Sequence, residues 1–303
     1  MSGAGTEARP FGVRIAAALA DRGVEVVFGI PGVHNQGIYL GIVAAGVRNG
    51  LARQKRLARF EGIDHLVAVS DYVARAITAE IGTAIPATTI LNGVDLSRFQ
   101  PVDQRTQRQT LLGEPVTGRL VCFVGQLIEE KGVGLLLDWA ASNARAPDTK
   151  LVMIGTGPMR AQVEAAAACH PGLIYLGARD DVHTLLPCAD VAVVPSLWDE
   201  AFGLVAAEAL ACGVPVVASQ VGGLGHIIAD DGVSGRLIER GNPAQLAAAL
   251  SAMLDQERGV ARHGARLRAE TLFDLNATVA DTYRLYETLC TDMDSKTASR
   301  MAS

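Results

Sequence analysis

Several things are scarce in this 303-residue sequence, and each scarcity removes a class of function. Aromatic residues make up only 5%, and charge is mixed, with 27 Lys and Arg against 32 Asp and Glu for a formal net charge of −5. No long run of one sign supplies the basic stripe that nucleic-acid phosphates require, so nucleic-acid binding is not expected. No uncharged apolar stretch reaches the ~18–20 residues that span a bilayer, because Glu208 interrupts the run from Gly203 to Ala218. The start, MSGAGTEARPFGVR, lacks the apolar core of a secretory signal. Cysteines are few and odd in number (Cys122, Cys169, Cys188, Cys212, Cys290) and far apart, and read as reduced, buried small hydrophobes. Together these features predict a soluble cytoplasmic protein, with peripheral contact at the inner face of a membrane left open. Metal-ligand spacing is also missing: His183, Cys188 and His226 are scattered, and the sole Asp-x-Asp, at Asp292 to Asp294, falls in a polar tail. No metal or cofactor is expected.

What is present is core material, 49% hydrophobic residues with 32 Gly. At about 100–200 residues per domain, the length predicts two compact domains, or one large domain with an appendage. From Arg119 onward, short β-rich runs (119–125, 150–155, 172–177, 190–196, 214–219 and 234–238) alternate with segments long enough for helices, among them Gly134–Arg145, Met159–His170, Leu204–Cys212 and Pro243–Leu254. Continuous Val and Ile runs joined by helical crossovers are what a parallel sheet buried on both faces requires, so the fold class is α/β and doubly wound. Upstream, 65–70 and 87–91 read as strands around a helix from Asp71 to Ile81. The loop Asn92–Pro101 has the turn chemistry of a connection between halves. Nearer the start, a helix over Val13–Arg22 and a strand over 24–29 are expected, and the basic cluster 48–60 reads as a solvated helix face, with phosphate or lipid-headgroup contact as the minor alternative.

The segment Pro195–Ala218, PSLWDEAFGLVAAEALACGVPVVA, specifies more than a fold. Glu200 falls in the loop before a helix, at the carboxyl edge of the sheet, and Glu208 falls about one turn inside that helix. Between them the N–H groups of Phe202, Gly203 and Leu204 are the unpaired donors of a helix start, a ready place for an anion. Carboxylates that accept from hydroxyls, flanking amides that hold a phosphate, suit a ligand that is both polyol and phosphate ester, such as a nucleotide-sugar. Lys131, after the strand 119–125, supplies the positive charge to neutralise a diphosphate leaving group. Trp198 reads as packing beside the site rather than as a stacking platform.

Residues 67–74 (VAVSDYVA), 90–101 (ILNGVDLSRFQP), 123–133 (FVGQLIEEKGV), 152–158 (VMIGTGP), the Glu200-x7-Glu208 spacing and 211–228 (ACGVPVVASQVGGLGHII) occur in order. Over about 64–286 the chain thus resembles the family-4 glycosyltransferases, retaining enzymes of the GT-B fold. That resemblance implies that Glu200 lies near the donor hexose and that Phe202, Gly203 and Leu204 lend backbone contacts to hexose and diphosphate. It also implies that Glu208 holds the ribose hydroxyls, that Lys131 binds the diphosphate beside the Gly125 turn, and that Ala178 and Arg179 lie near the base. Where the family has an Arg in that turn, this chain has Gln126, which can donate a hydrogen bond but carries no charge.

The resemblance implies a GT-B-like architecture with a complete C-terminal doubly wound Rossmann domain over 101–275. It places a shortened or atypical N-terminal α/β half over 1–100, of which 1–60 could be foreign, a helix over 276–290 packing back toward that half, and a flexible tail over 291–303. The stretch 15–35 resembles the opening of thiamine-diphosphate enzymes of the acetolactate synthase type, without their Gly-Asp-Gly motif. The expected function is a metal-independent retaining transfer of sugar from a nucleoside-diphosphate-sugar to an unidentified acceptor hydroxyl. A non-catalytic nucleotide-sugar-binding module and, more distantly, a thiamine-diphosphate enzyme fragment stay open beside it.

Overall fold

Apolar runs buried on both faces build the main sheet. In the computed structural model the described residues are 26–27, 48–49, 65–81, 85–102, 108, 118–142 and 146–301. The chain divides into two compact units, Met1–Gly62 and Ile63–Ser303. In the first, β1 (Val26–Val27) pairs in parallel with β2 (Arg48–Asn49). The expected strand over 24–29 is therefore present in its centre. Of the basic cluster 48–60, expected to form a helix face, Arg48 and Asn49 belong to that ladder, and residues 50–60 lie outside the described residues. The helix expected over 13–22 and the rest of the thiamine-enzyme-like stretch lie outside the described residues.

The second unit opens with β3 (Leu66–Ala68), α1 (Asp71–Ile81) and β4 (Ala87–Thr89), a βαβ unit whose two strands pair in parallel. The six strands of the main sheet then follow: β5 (Arg119–Val124), β6 (Thr149–Ile154), β7 (Leu173–Tyr175), β8 (Val191–Val194), β9 (Val216–Ser219) and β10 (Gly235–Ile238). They stand in the order β10-β9-β8-β5-β6-β7, and every pairing is parallel. Successive side chains of a strand point to opposite faces. On β5, Leu120 and Cys122 join one buried cluster, and Val121 and Phe123 join the other. The first cluster is closed by α5 (Leu204–Ala211), the second by α2 (Val133–Ala141) and α7 (Pro243–Leu254). The doubly wound α/β reading thus holds, with helix α3 (Arg160–Cys169) and the short α4 (Val182–Leu185) and α6 (Leu224–Ile227) completing the crossovers.

Two long helices finish the chain. Helix α8 (Arg258–Leu272) carries arginines that point inward and end on backbone carbonyls. Arg262 donates to the carbonyls of Pro187, Ala189 and Cys212, and Arg268 to those of His226 and Ile227. Arg266 donates to Ala211 at 2.6 Å and Phe99 at 3.0 Å. Ala211, Cys212 and Ile227 end α5 and α6, so these guanidiniums satisfy carbonyls that a helix terminus leaves without partners. Helix α9 starts against the 92–101 loop: Val94 donates to Phe273, Leu275 donates to Val94, and the Thr278 hydroxyl donates to Leu91. It runs from Leu275 to Met301. The flexible tail expected over 291–303 is instead helical as far as Met301, since no Gly or Pro between 276 and 301 stops the helix. Among the described cysteines, Cys122, Cys188 and Cys212 are buried as expected, whereas Cys169, at the end of α3, is exposed.

Replacing Arg266 with Met removes a charged donor from several carbonyls while keeping most of the aliphatic stem. The expected loss is about 2–4 kcal/mol of unfolding free energy in urea denaturation, with an unchanged denaturant slope.

Candidate functional site

The order of the strands creates the site. From β5 the chain winds outward through β6 and β7, then returns to the other side of β5 as β8. Connections leaving the carboxyl ends of β5 and β8 therefore diverge, and an open α/β sheet places its ligand crevice at such a reversal. The turn after β5 runs through Gly125 and Gln126 to a single 3₁₀ turn, Glu129–Lys131. The loop after β8 runs from Pro195 to Gly203. Their backbones clasp where Leu197 N–H donates to Glu130 O at 2.7 Å.

Two glycines permit the loop to be gripped this closely. Gly132 has φ +73°, and a Cβ there would stand 2.1 Å from Pro195 O. On the other side, Gly222 has φ +52°, and a Cβ would stand 2.1 Å from Glu200 O, the carbonyl that accepts from Gly223 N–H at 2.7 Å. Only a residue without Cβ adopts this backbone cheaply and leaves room for the facing carbonyl.

At the centre, Lys131 Nζ lies 2.5 Å from Glu200 Oε1, with the two side chains 22% and 13% exposed. The same oxygen accepts from Ser196 Oγ at 2.6 Å and from Trp198 Nε1 at 3.2 Å. Glu200 Oε2 has no partner among the described residues, so one oxygen is pinned and the other is left to accept. The ammonium of Lys131 also sits 5.1 Å from the centre of the Trp198 ring. Trp198, 42% exposed, is therefore part of the polar cluster and not simple packing beside it.

Helix α5 begins at Leu204 after Gly203, which has φ +108° and no side-chain cap. The N–H groups of Phe202, Gly203 and Leu204 find no acceptor among the described residues, so the amide-lined helix start is present as expected. The Phe202 ring is buried edge-on against Phe273, 5.9 Å between centres, so only its backbone is available to a ligand. Inside the helix, Glu208 is 8% exposed, and its carboxylate accepts no hydrogen bond among the described residues. Burial pushes its carboxyl up to about 7, opposed only by the charge of Arg98.

Not every expected residue joins the cluster. Gln126 is exposed in the β5 turn, and Ala178 and Arg179 follow Gly177 at the edge of the sheet. Arg179 is paired with Asp181 at 2.8 and 2.7 Å. No contact among the described residues links Gln126, Ala178, Arg179 or Glu208 to the Lys131–Glu200 pair. Conversely, sequence reasoning assigned no role to residues that hold the loop. Ser70 Oγ donates to Ala201 O at 2.6 Å, and Tyr72 OH donates to one oxygen of Asp199 at 3.1 Å while Arg240 pairs with the other. The VAVSDYVA stretch was the available signal for the first two.

These features define a GT-B-type α/β protein with a polar cluster at the strand reversal of its six-stranded sheet. The chain belongs to the Glycosyl transferases group 1 family, which it matches over residues 104–270. It is 34% identical over 250 residues to a D-inositol 3-phosphate glycosyltransferase 2 of Catenulispora acidiphila, an alignment covering 77% of this chain and 58% of that protein. A D-inositol 3-phosphate glycosyltransferase of Geodermatophilus obscurus is 38% identical over 233 residues, covering 70% and 51% respectively. The chain thus spans little more than half the length of these relatives. Among solved structures, sucrose-phosphate synthase of Thermosynechococcus elongatus superposes with TM-score 0.70 at 24% identity, covering 93% of this chain and 78% of that one. Anabaena HepE, in complex with UDP and glucose, superposes with TM-score 0.67 at 20% identity, covering 92% and 81%.

Two predictions follow from the geometry. Gly132→Ala loses about 2 kcal/mol or more of stability in chemical denaturation, because the left-handed backbone and the Pro195 carbonyl both oppose a methyl group. Glu208 has its folded value raised above the ordinary 4.5, so the native state holds a proton that the unfolded chain has released between about pH 4.5 and 7. Its favourable contribution is present below pH 4.5 and lost as pH rises through 7. Glu208→Gln therefore matches the parent near pH 4 and exceeds it by on the order of 3 kcal/mol above pH 8, measured by urea denaturation across pH.

Proposed function

We propose that this chain binds a nucleoside-diphosphate-sugar at the β5–β8 reversal and transfers its sugar, with retention, to an acceptor hydroxyl, as the resemblance to the family-4 enzymes implies. The observation that carries the reading is the Lys131–Glu200 pair set beside the unpaired amides of Phe202, Gly203 and Leu204. Lys131 turns from Glu200 to the diphosphate when the donor enters. The amides and the positive end of α5 share that load, and Gln126 adds a neutral hydrogen bond. Glu200, held through Oε1, accepts from a hexose hydroxyl through Oε2. Glu208 accepts from the ribose, whose hydroxyls supply the donors that the protein withholds. Ala178 and Arg179 lie toward the base. As the bond between the anomeric carbon and the diphosphate oxygen breaks, negative charge grows where the ammonium and amides already point, which lowers the barrier by preorganised electrostatics. The acceptor oxygen attacks from the face the diphosphate leaves, and its proton passes to the departing phosphate oxygen. This route assigns charge neutralisation to Lys131 and backbone amides and asks for no metal. Anabaena HepE with UDP and glucose supports a uridine nucleotide as the first donor to try, and the relatives named for D-inositol 3-phosphate support that cyclitol phosphate as the first acceptor.

Calorimetry with UDP and UDP-glucose is the test. Lys131→Ala is expected to weaken UDP binding at least about tenfold, as loss of a charge-assisted contact does. Glu208→Ala is expected to weaken it comparably. Absence of binding to the parent protein, or unchanged affinity in both variants, overturns the donor site. Release of UDP from UDP-glucose in the presence of D-inositol 3-phosphate separates transfer from binding alone, and binding without release leaves a non-catalytic nucleotide-sugar module.

A further inference from the structure

We propose that Trp198 is a positioning residue with two separable tasks: its ring face holds the Lys131 ammonium at the mouth of the site, and its indole N–H holds Glu200 in register. The proposal rests on the donor-binding reading for its ligand but not for its geometry. Trp198 lies beside the ion pair and touches both members, with Lys131 Nζ 5.1 Å from its ring centre and its Nε1 donating to Glu200 Oε1 at 3.2 Å. An ammonium over an indole face is attracted by the ring quadrupole, and the attraction persists when the ammonium changes its anionic partner.

That persistence matters at this site. Lys131 is paired with Glu200 at 2.5 Å. When a diphosphate draws the ammonium away, Glu200 Oε1 loses one of its three donors, and Trp198 Nε1 and Ser196 Oγ remain to keep the carboxylate oriented. The lysine meanwhile pivots on the ring face and is not released into solvent. The backbone under the indole is well placed to act as a mount: Leu197 N–H donates to Glu130 O at 2.7 Å, and the Asp199 carboxylate is held by Tyr72 and Arg240. Because the ring is 42% exposed, its replacement opens no core cavity.

Two substitutions separate the tasks. Trp198→Phe keeps a ring face and removes the N–H, whereas Trp198→Leu removes both. By NMR without ligand, the Lys131 side-chain methylene next to Nζ is expected to show an upfield ring-current shift that survives in Trp198→Phe and vanishes in Trp198→Leu. An unchanged signal in Trp198→Leu overturns the placement, and this arm decides it even if the parent protein binds no UDP. By calorimetry, UDP affinity is expected to stay within about twofold in Trp198→Phe and to fall about three- to tenfold in Trp198→Leu, the range of a partly desolvated cation–π contact. The ratio of UDP-glucose to UDP affinity, which reads Glu200, is expected to fall in both variants. Equal UDP affinity in the parent and Trp198→Leu, or an unchanged ratio in Trp198→Phe, overturns the corresponding task. Loss of UDP binding in Lys131→Ala with no effect of Trp198→Leu leaves the donor site standing and removes Trp198 from it.

Discussion

The Lys131–Glu200 contact depends on the reversal of strand order between β5 and β8 in an all-parallel sheet. The two residues are 69 positions apart in the chain and 2.5 Å apart in space. Neither loop reaches the other by its own preference. The clasp from Leu197 to Glu130 and the glycine at 132 bring the two backbones close enough for short polar contacts to form. Three donors then converge on one carboxylate oxygen, a geometry that offsets the desolvation of a half-buried ion pair where a bare Coulomb contact would not. With three donors on one oxygen, the carboxylate is held in one orientation, and its other oxygen has no partner among the described residues.

The two carboxyls of the Glu-x7-Glu spacing live in opposite environments. Glu200 is surrounded by donors, whereas Glu208, eight residues on, is buried on α5 with none among the described residues and has its proton affinity raised accordingly. An acceptor buried without a donor is costly, and such a group is kept where a ligand completes it. The pair therefore differs by environment: donors converge on one carboxylate, whereas burial raises the proton affinity of the other.

Much of the fold was legible because parallel strands buried on both faces leave uninterrupted Val and Ile runs: five strands of the main sheet lie within the runs expected, and β6 begins one residue ahead of its run, at Thr149. The amide-lined start of α5 could be read from Phe202-Gly203 before an Ala-rich run, and the residues facing each other at the site could be guessed from their places at strand ends. Other features were not legible for definite reasons. An arginine in a sequence reads as solvated, so the inward role of Arg262, Arg266 and Arg268 on α8 left no trace, and that helix was not singled out. Trp198 looked like packing because its cation partner, Lys131, comes from the turn after a different strand, 67 positions away in the chain. The hold of Ser70 and Tyr72 on the Glu200 loop joins segments more than a hundred residues apart, which no local pattern reports. Where a chain lacks a breaker, as from Leu275 to Met301, polarity alone misjudged a helix as a tail.

The face of α5 opposite the site explains how a helix of only eight residues can carry functional groups at both its start and its middle. So short a helix has little stability of its own, since nucleation is costly and few hydrogen bonds repay it. Its last carbonyls are tied by Arg262 and Arg266, and its first turn is anchored by the Phe202 ring against Phe273, at the end of α8. Helix α8 thus grips α5 at both ends. It also binds the Leu96 to Phe99 loop through Arg266, beside Arg98, the cation that opposes the raised proton affinity of Glu208. A rigid scaffold of buried guanidiniums behind the sheet lets the front of the molecule keep its amides and one carboxyl without partners. Without that support those groups would relax toward one another or toward water.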